Sequence, residues 1–431
     1  MHRRPTFFVA VSAAAALLTW LLFRAGYPGV IYDSFHYWTL SRIVSTEGLA
    51  NLFSRVRMYG YPLFIAAVTF FSDPPPETVR AVAAAAQLAI YLAAAFYAAR
   101  VAERVFRRTR FLGGTYAVLA LNPIALIRAT ELLSDSLSAV LVGLSLFASL
   151  EEGRTGRRAF LAGLAAGASI ALRPANVAIL PALAILWVLR GRLYRERIAR
   201  SLALGTLAVA VTLAPQLYGN VKAWDAWTPL LVDRLYRAQV GWGTGILKYG
   251  TVVVPGREPQ LVYTNPLRPE GVSTPAEFLR ARPLDYLRTL GAHGFALVDH
   301  DFPYTYITAP PPSWRWPLAL ANYAFLFLAA FGLFILLARE RGTPAGLYGA
   351  GAALFSLALI AVYLPVAVES RFSMPLYFIL APAAVYAVVW LSGKRSGTIL
   401  AVAILGGGFV GAGVQLSRWL SKMASGIEFP P

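Results

Sequence analysis

There is no cysteine among the 431 residues, which removes disulfides and thiolate-bound metals as sources of stability or chemistry. Charge is scarce as well: Asp, Glu, Lys and Arg make up 14% of the chain against 58% hydrophobic residues. So little charge cannot cover a globule of this length, and a mean hydropathy of +0.58 places the chain outside the soluble class. Lysine and histidine are nearly missing, with four of each, so arginine carries almost all of a net charge of +18. No half-to-half repeat of the kind common in transporters is visible.

What remains is a series of apolar runs near 20 residues long, the mark of helices that cross a bilayer. The expected fold class is all-α: a polytopic membrane protein with about eleven spans, near 6–24, 78–99, 111–128, 132–150, 159–172, 174–189, 201–218, 317–338, 344–364, 374–391 and 397–416. The first run follows a basic N-terminus, as in a signal peptide, but it is long for one and has no clear cleavage site, so it reads as a retained span. The basic residues sit in short loops between the runs, which points to a positive-inside membrane topology with anionic headgroups as counter-charge rather than to nucleic acid.

One run is ambiguous. Residues 59–71 are apolar for about 13 residues, roughly 20 Å of helix, which is short of a hydrocarbon core of about 30 Å. If this run does not cross, the loops Arg100–Arg110, Arg154–Arg158, Arg190–Arg200, Arg339–Arg341 and Lys394–Arg395 share one side with Arg3 and Arg4. The positive-inside rule therefore makes 59–71 interfacial or re-entrant, gives eleven spans, and puts the N-terminus in the cytoplasm. Amphipathic interfacial helices are expected over about 33–72. The chain divides on this reading into a transmembrane catalytic module (1–218), an outer loop or lid (219–316) and a C-terminal transmembrane module (317–431). Trp314 and Trp316, after Pro310-Pro311-Pro312, are expected as belt aromatics.

The same topology gathers Asp33, Glu131, Asp135, Arg173, the 219–316 loop and Glu369-Ser370-Arg371 on the outer side. Polar side chains cost about 2.5–3.5 kcal/mol at a helix centre on insertion scales, so their convergence on one face marks a candidate site. Asp33 lies in Val30-Ile31-Tyr32-Asp33-Ser34-Phe35-His36-Tyr37-Trp38, just past the first run, among four aromatics and a histidine. A simple helix cap is the alternative role for Asp33, and a charged helix N-terminus that for Glu131 and Asp135. Asp299-His300-Asp301 has ligand-type residues at a nonspecific spacing and reads as solvated loop, so no metal site is expected.

Several short motifs occur in a telling order. Asp33 follows span 1, then come Tyr59-Gly60-Tyr61-Pro62-Leu63, the arginine-rich turn 100–110, Leu121-Asn122-Pro123, and Leu132-Leu133-Ser134-Asp135-Ser136-Leu137. Ala171-Leu172-Arg173-Pro174 and Glu369-Ser370-Arg371-Phe372-Ser373-Met374-Pro375 complete the series. Over about residues 1–390 this order resembles the GT-C superfamily of membrane glycosyltransferases, in particular the branch of dolichyl-phosphate-mannose protein mannosyltransferases and aminoarabinose transferases. The resemblance implies a sugar donor on a polyprenyl phosphate and inverting transfer to an acceptor hydroxyl on the outer face of the cell membrane. It also implies that the first-loop acid, here Asp33, is the general base.

Glu131 and Asp135 are the candidate supporting acids. Arg371, Arg173, Arg57 with Tyr59 and Tyr61, and His36 are the candidates for holding the donor phosphate. Where many relatives have two adjacent acids in the first loop, this chain has Asp33 followed by Ser34, so metal-independent catalysis without a cofactor is expected. The competing functions are a lipid-linked oligosaccharide polymerase or ligase and a transporter or flippase of amphipathic solutes. The residues leave the sugar and the acceptor (lipid, glycan or protein hydroxyl) open.

Overall fold

The computed structural model describes residues 4–26, 29–151, 155–233, 235–253, 260–300, 302, 304–307 and 315–425. Asp301, Pro310-Pro311-Pro312 and Trp314 lie outside the described residues.

Helix α1 (Arg4–Gly26) leads to α2 (Tyr32–Glu47) and the nine-residue α3 (Gly60–Val68). The region after span 1 thus contains two separate helices, and α3, at about 14 Å, cannot cross hydrocarbon. The long α4 (Pro76–Phe106) follows. Asn122 then interrupts what reads as one span: its side chain accepts from the N–H groups of Ile124 (3.0 Å) and Ala125 (3.3 Å), and Pro123 occupies the first helical position. The result is two helices, α5 (Arg110–Ala120) and α6 (Pro123–Thr130), bent by 49°.

Helices α7 (Asp135–Leu150), α8 (Thr155–Leu172), α9 (Ile179–Tyr194) and α10 (Ile198–Trp224) come next. Beyond residue 314 come α14 (Arg315–Arg339), α15 (Pro344–Tyr363), α16 (Met374–Leu391) and α17 (Ser396–Ser421). Small residues set the close approaches: a Cβ on Gly163 would lie 2.4 Å from the Gly205 carbonyl, and one on Gly332 would lie 1.9 Å from that of Ala383.

Among the described residues eight helices are long and apolar enough to cross a membrane, nine if the bent α5/α6 pair counts as one span. The chain is a multi-pass membrane protein. The two expected spans that fall short of this test are 132–150 and 159–172. Helix α7 has only 16 residues, and α8 carries Arg157 and Arg158 in its first turn. Burial explains α7: every residue of it except Leu141 and Leu144 is enclosed by other helices, so lipid thickness does not set its length. One core runs from the first half of the chain into the second, with Leu146 and Phe147 packed in the same cluster as Tyr348, Phe355 and Phe378.

The all-α expectation needs correction within 219–316. That segment contains α11 (Leu235–Gly245), α12 (Pro275–Ala281) and α13 (Pro283–Val298), but also a small sheet ordered β3-β1-β2-β4. Strand β1 (Ile246–Val252) pairs antiparallel with β2 (Gln260–Thr264) and parallel with β3 (Tyr306–Ile307). Strand β4 (Ala424–Ser425), just past α17, pairs antiparallel with β2 and so ties the end of the last helix to this segment. The β-branched run Thr251-Val252-Val253-Val254 was the available signal for a strand.

A second correction concerns Asp299 and His300, which are buried rather than solvated. The Asp299 carboxylate accepts hydrogen bonds from Tyr323 (2.7 Å) and Ser417 (3.2 Å) and lies 3.6 Å from the Lys248 ammonium. His300 Nε2 is 2.9 Å from the Tyr377 hydroxyl. These bonds anchor β1 and the end of α13 to α14, α16 and α17, as buried polar groups require.

Candidate active site

Five turns at one end of the bundle bring the charged residues together. Asp33 is in the first turn of α2, where an acid is favoured by the helix dipole. Asp135 holds the same position in α7. Arg57 lies in the segment before α3, and Arg173 sits between α8 and a short 3-10 turn that starts at Pro174. Arg371 lies in another 3-10 turn, Ser370–Ser373, just before α16. Tyr32, adjacent to Asp33, has φ of 46°, an unusual left-handed backbone for an aromatic residue.

These side chains line a cavity of about 570 Å³. Within it, acids and arginines alternate. Asp33 pairs with Arg57 through one carboxylate oxygen and with Arg371, at 3.3 Å, through the other. Arg371 is also 2.7 Å from Glu369 and 3.8 Å from Asp135, and Asp135 in turn pairs with Arg173. The arginines rest on rings, Arg173 at 4.4 Å from the centre of Phe372 and Arg57 at 5.2 Å from that of Tyr37. Tyr32, Tyr236, Trp242, Tyr249 and Tyr363 complete an aromatic wall.

Burial by itself would raise the Asp33 pKa, but the Arg371 and Arg57 charges outweigh it and hold the carboxyl below the usual aspartate range. Glu369 goes the other way: its burial exceeds the help it receives from Arg371, and its pKa is raised. The Arg57 Nε–H is buried and has no acceptor among the described residues, which leaves a donor for an incoming oxyanion. Among the described residues no group of three or more His, Asp or Glu side chains is arranged to hold a metal ion.

Of the residues expected at a site, Asp33, Asp135, Arg57, Arg173 and Arg371 meet in this cavity. The others do not line it. Glu131 is turned away, wholly buried against Arg128 at 2.9 Å, and it accepts hydrogen bonds from the Thr305 N–H (2.7 Å) and hydroxyl (2.9 Å). Glu131 and Asp135 are four residues apart, the spacing of neighbours on one helical face, but α6 and α7 are separate helices with a break between them, so the two acids part. Tyr59 donates to the Thr212 carbonyl, and Tyr61 donates to Gln87 and packs edge-on against Tyr37, so both brace α3. His36 is near enough to feel Arg57 and Asp33, and burial first, then the Arg57 charge, depresses its pKa. Glu369 and Tyr249 are site residues that sequence reasoning had not assigned. Glu369 was visible only as a neighbour of Arg371, and Tyr249 depends on β1.

No protein-family model matches the chain. No curated protein matches it either. Solved structures do. The oligosaccharyltransferase AglB from Archaeoglobus fulgidus, in complex with an inhibitory peptide and a dolichol-phosphate, aligns over 99% of this chain with a TM-score of 0.53 at 12% identity. The apo form of the Archaeoglobus fulgidus oligosaccharyltransferase aligns over 99% of the chain with a TM-score of 0.53 at 11% identity. The form tethered to an acceptor peptide gives the same score and coverage at 12% identity. This chain shares their fold. It spans just over half their length, 57% of the first two and 56% of the third, so the likeness concerns architecture.

Proposed function

We propose that this protein is an inverting glycosyltransferase that moves a sugar from a polyprenyl-phosphate donor to an acceptor hydroxyl at the outer membrane face. The observation that carries the reading is the position of Asp33: a half-buried carboxylate held between Arg57 and Arg371 at the mouth of an aromatic-walled cavity. The fold shared with an oligosaccharyltransferase solved in complex with a dolichol-phosphate supports a lipid-linked donor. On this reading the protein works in the cell membrane with its N-terminus in the cytoplasm.

In the reaction, Asp33 takes the proton of the acceptor hydroxyl as its oxygen attacks the anomeric carbon. The new carbon–oxygen bond forms on the face opposite the phosphate. The old bond breaks, its electron pair leaves with the polyprenyl phosphate, and Arg371 and Arg57 hold the growing charge, with Arg173 behind them. In the structure those arginines sit on Asp33 and weaken it as a base. A donor phosphate competes for them, frees the carboxylate and raises its basicity when the acceptor is in place. Glu369, whose pKa burial raises, holds Arg371 from the other side at 2.7 Å.

The carboxylates of this cavity are already neutralised by arginine, and Ser34 stands where a second acid would be needed, so the transfer is read as metal-independent. The test is purified Asp33→Asn given a panel of polyprenyl-phosphate hexoses and pentoses. Turnover should fall by about 10²–10⁴-fold, the usual worth of a general base, with folded yield unchanged. Wild-type turnover in that variant rejects the assignment. Turnover by the wild-type protein of a polyprenyl-diphosphate-linked sugar, with release of the diphosphate, and none of the monophosphate-linked sugars favours the polymerase or ligase reading.

A further inference from the structure

The opposite end of the bundle has a cavity of its own, about 610 Å³, with different chemistry. Four membrane-length helices end around it: α4 at Phe106, α14 at Arg339, α15 at its start, Pro344, and α16 near Trp390. Helix α16 runs from the Arg371 turn to this place, and its 18 residues separate the two sites by about 27 Å. Arg107, Arg108 and Arg339 line the cavity and are exposed, and none has a carboxylate partner among the described residues. The only acid in the lining, Glu340, already accepts a hydrogen bond from Tyr386 at 2.8 Å.

Two further features favour an anion. Helix α15 begins here with Thr343 as its cap, its hydroxyl accepting from the Gly346 N–H at 3.1 Å, so the positive end of a 20-residue helix faces the cavity. The floor is made of buried rings, Phe106 stacked on Phe111 at 4.2 Å with Tyr386 against both. At the rim, Trp390 carries Arg339 at 5.3 Å and Lys394 at 4.3 Å. Unpaired arginines over an aromatic floor, at the level where four spans stop, fit a phosphate attached to apolar chains better than one free in water.

We propose that this cavity binds the phosphate headgroup of an anionic phospholipid. A lipid there joins the ends of α4, α14, α15 and α16, and the far ends of α15 and α16 lead to Tyr363 and Arg371 of the candidate active site. The proposal does not depend on the glycosyltransferase reading.

The experiment is native mass spectrometry of the full chain in detergent, titrated with phosphatidylglycerol, phosphatidylcholine or inorganic phosphate. Phosphatidylglycerol should be retained at one molecule per chain under conditions that strip phosphatidylcholine. The R107Q/R108Q/R339Q variant should lower that affinity by at least about 10-fold, whereas R157Q/R197Q/R200Q, at exposed arginines around the starts of α8 and α10, should change it by less than about 2-fold. Equal retention of both lipids, or equal loss in the two variants, overturns the proposal. Displacement of phosphatidylglycerol by millimolar inorganic phosphate assigns the cavity to a soluble phosphate and overturns it as well.

Discussion

Two carboxylate–arginine clusters lie side by side in this protein, and Arg128 of one and Arg371 of the other line the same small gap. In the first, Glu131 and Arg128 are 0% and 1% exposed, and Thr305 fills the remaining hydrogen-bonding capacity of the carboxylate. In the second, Asp33 is 30% exposed and shares Arg371 with Glu369 and Asp135. Each cluster keeps a buried guanidinium Nε–H without an acceptor among the described residues, on Arg128 in the first and on Arg57 in the second. The residue types are the same. The closed pair is a structural clasp that holds the strand-bearing segment to α6, and the open cluster can adjust because Arg371 has three carboxylate neighbours, Glu369, Asp33 and Asp135. What separates the two is that solvent reaches one and not the other, which makes the open cluster the candidate site.

The largest expected effect comes from opening the closed pair. Glu131→Gln or Arg128→Met leaves a buried charge uncompensated and should destabilise the fold by about 3–5 kcal/mol. It should show as loss of the monodisperse peak in size exclusion and a drop in melting temperature. If either variant behaves as wild type, the clasp is not structural and the contrast fails.

Next comes Arg371→Lys in the open cluster. Lysine keeps the charge but cannot face Glu369, Asp135 and a phosphate at once. Turnover should fall by about 10²-fold, as when one preorganised transition-state donor is removed. The protein should elute and melt close to wild type, which separates this variant from those of the clasp.

The pH dependence is a subtler test. Because the folded pKa of Asp33 lies below the ordinary value, its stabilising contribution is complete above the unfolded pKa and disappears as pH falls through the folded one. The acid limb of kcat/KM, which reports the empty enzyme, should fall below the usual aspartate range. The limb of kcat should lie at higher pH, since bound donor draws the arginines away. Coincident limbs would argue against competition between phosphate and Asp33. The smallest effect is reserved for chelators: turnover measured with excess EDTA should match that without it, and a loss restored by a divalent cation would show that the open carboxylates hold metal.

Much of the fold was legible in composition and period. Apolar runs near 20 residues located the long helices, and the basic loops grouped the acids on one face before any distance was known. The misreadings share one cause, which is that burial by distant elements leaves no local trace. Helix α7 is too short by the usual rule because other helices, rather than lipid, surround it. Glu131 and Asp135 look like partners at i,i+4, yet the break after Thr130 sends one to Thr305 and the other to Arg173. Asp299 and His300 have the spacing of a loop and the environment of a core.

The sequence by itself determined that this is a membrane protein and which side chains have to lie near its edge, since hydrocarbon tolerates charge so poorly that few placements remain. Tertiary structure decided which carboxylate meets which arginine. That choice rests on contacts such as Asp33 with Arg371, 338 residues apart in the chain, and on how far water follows them, neither of which any local pattern encodes.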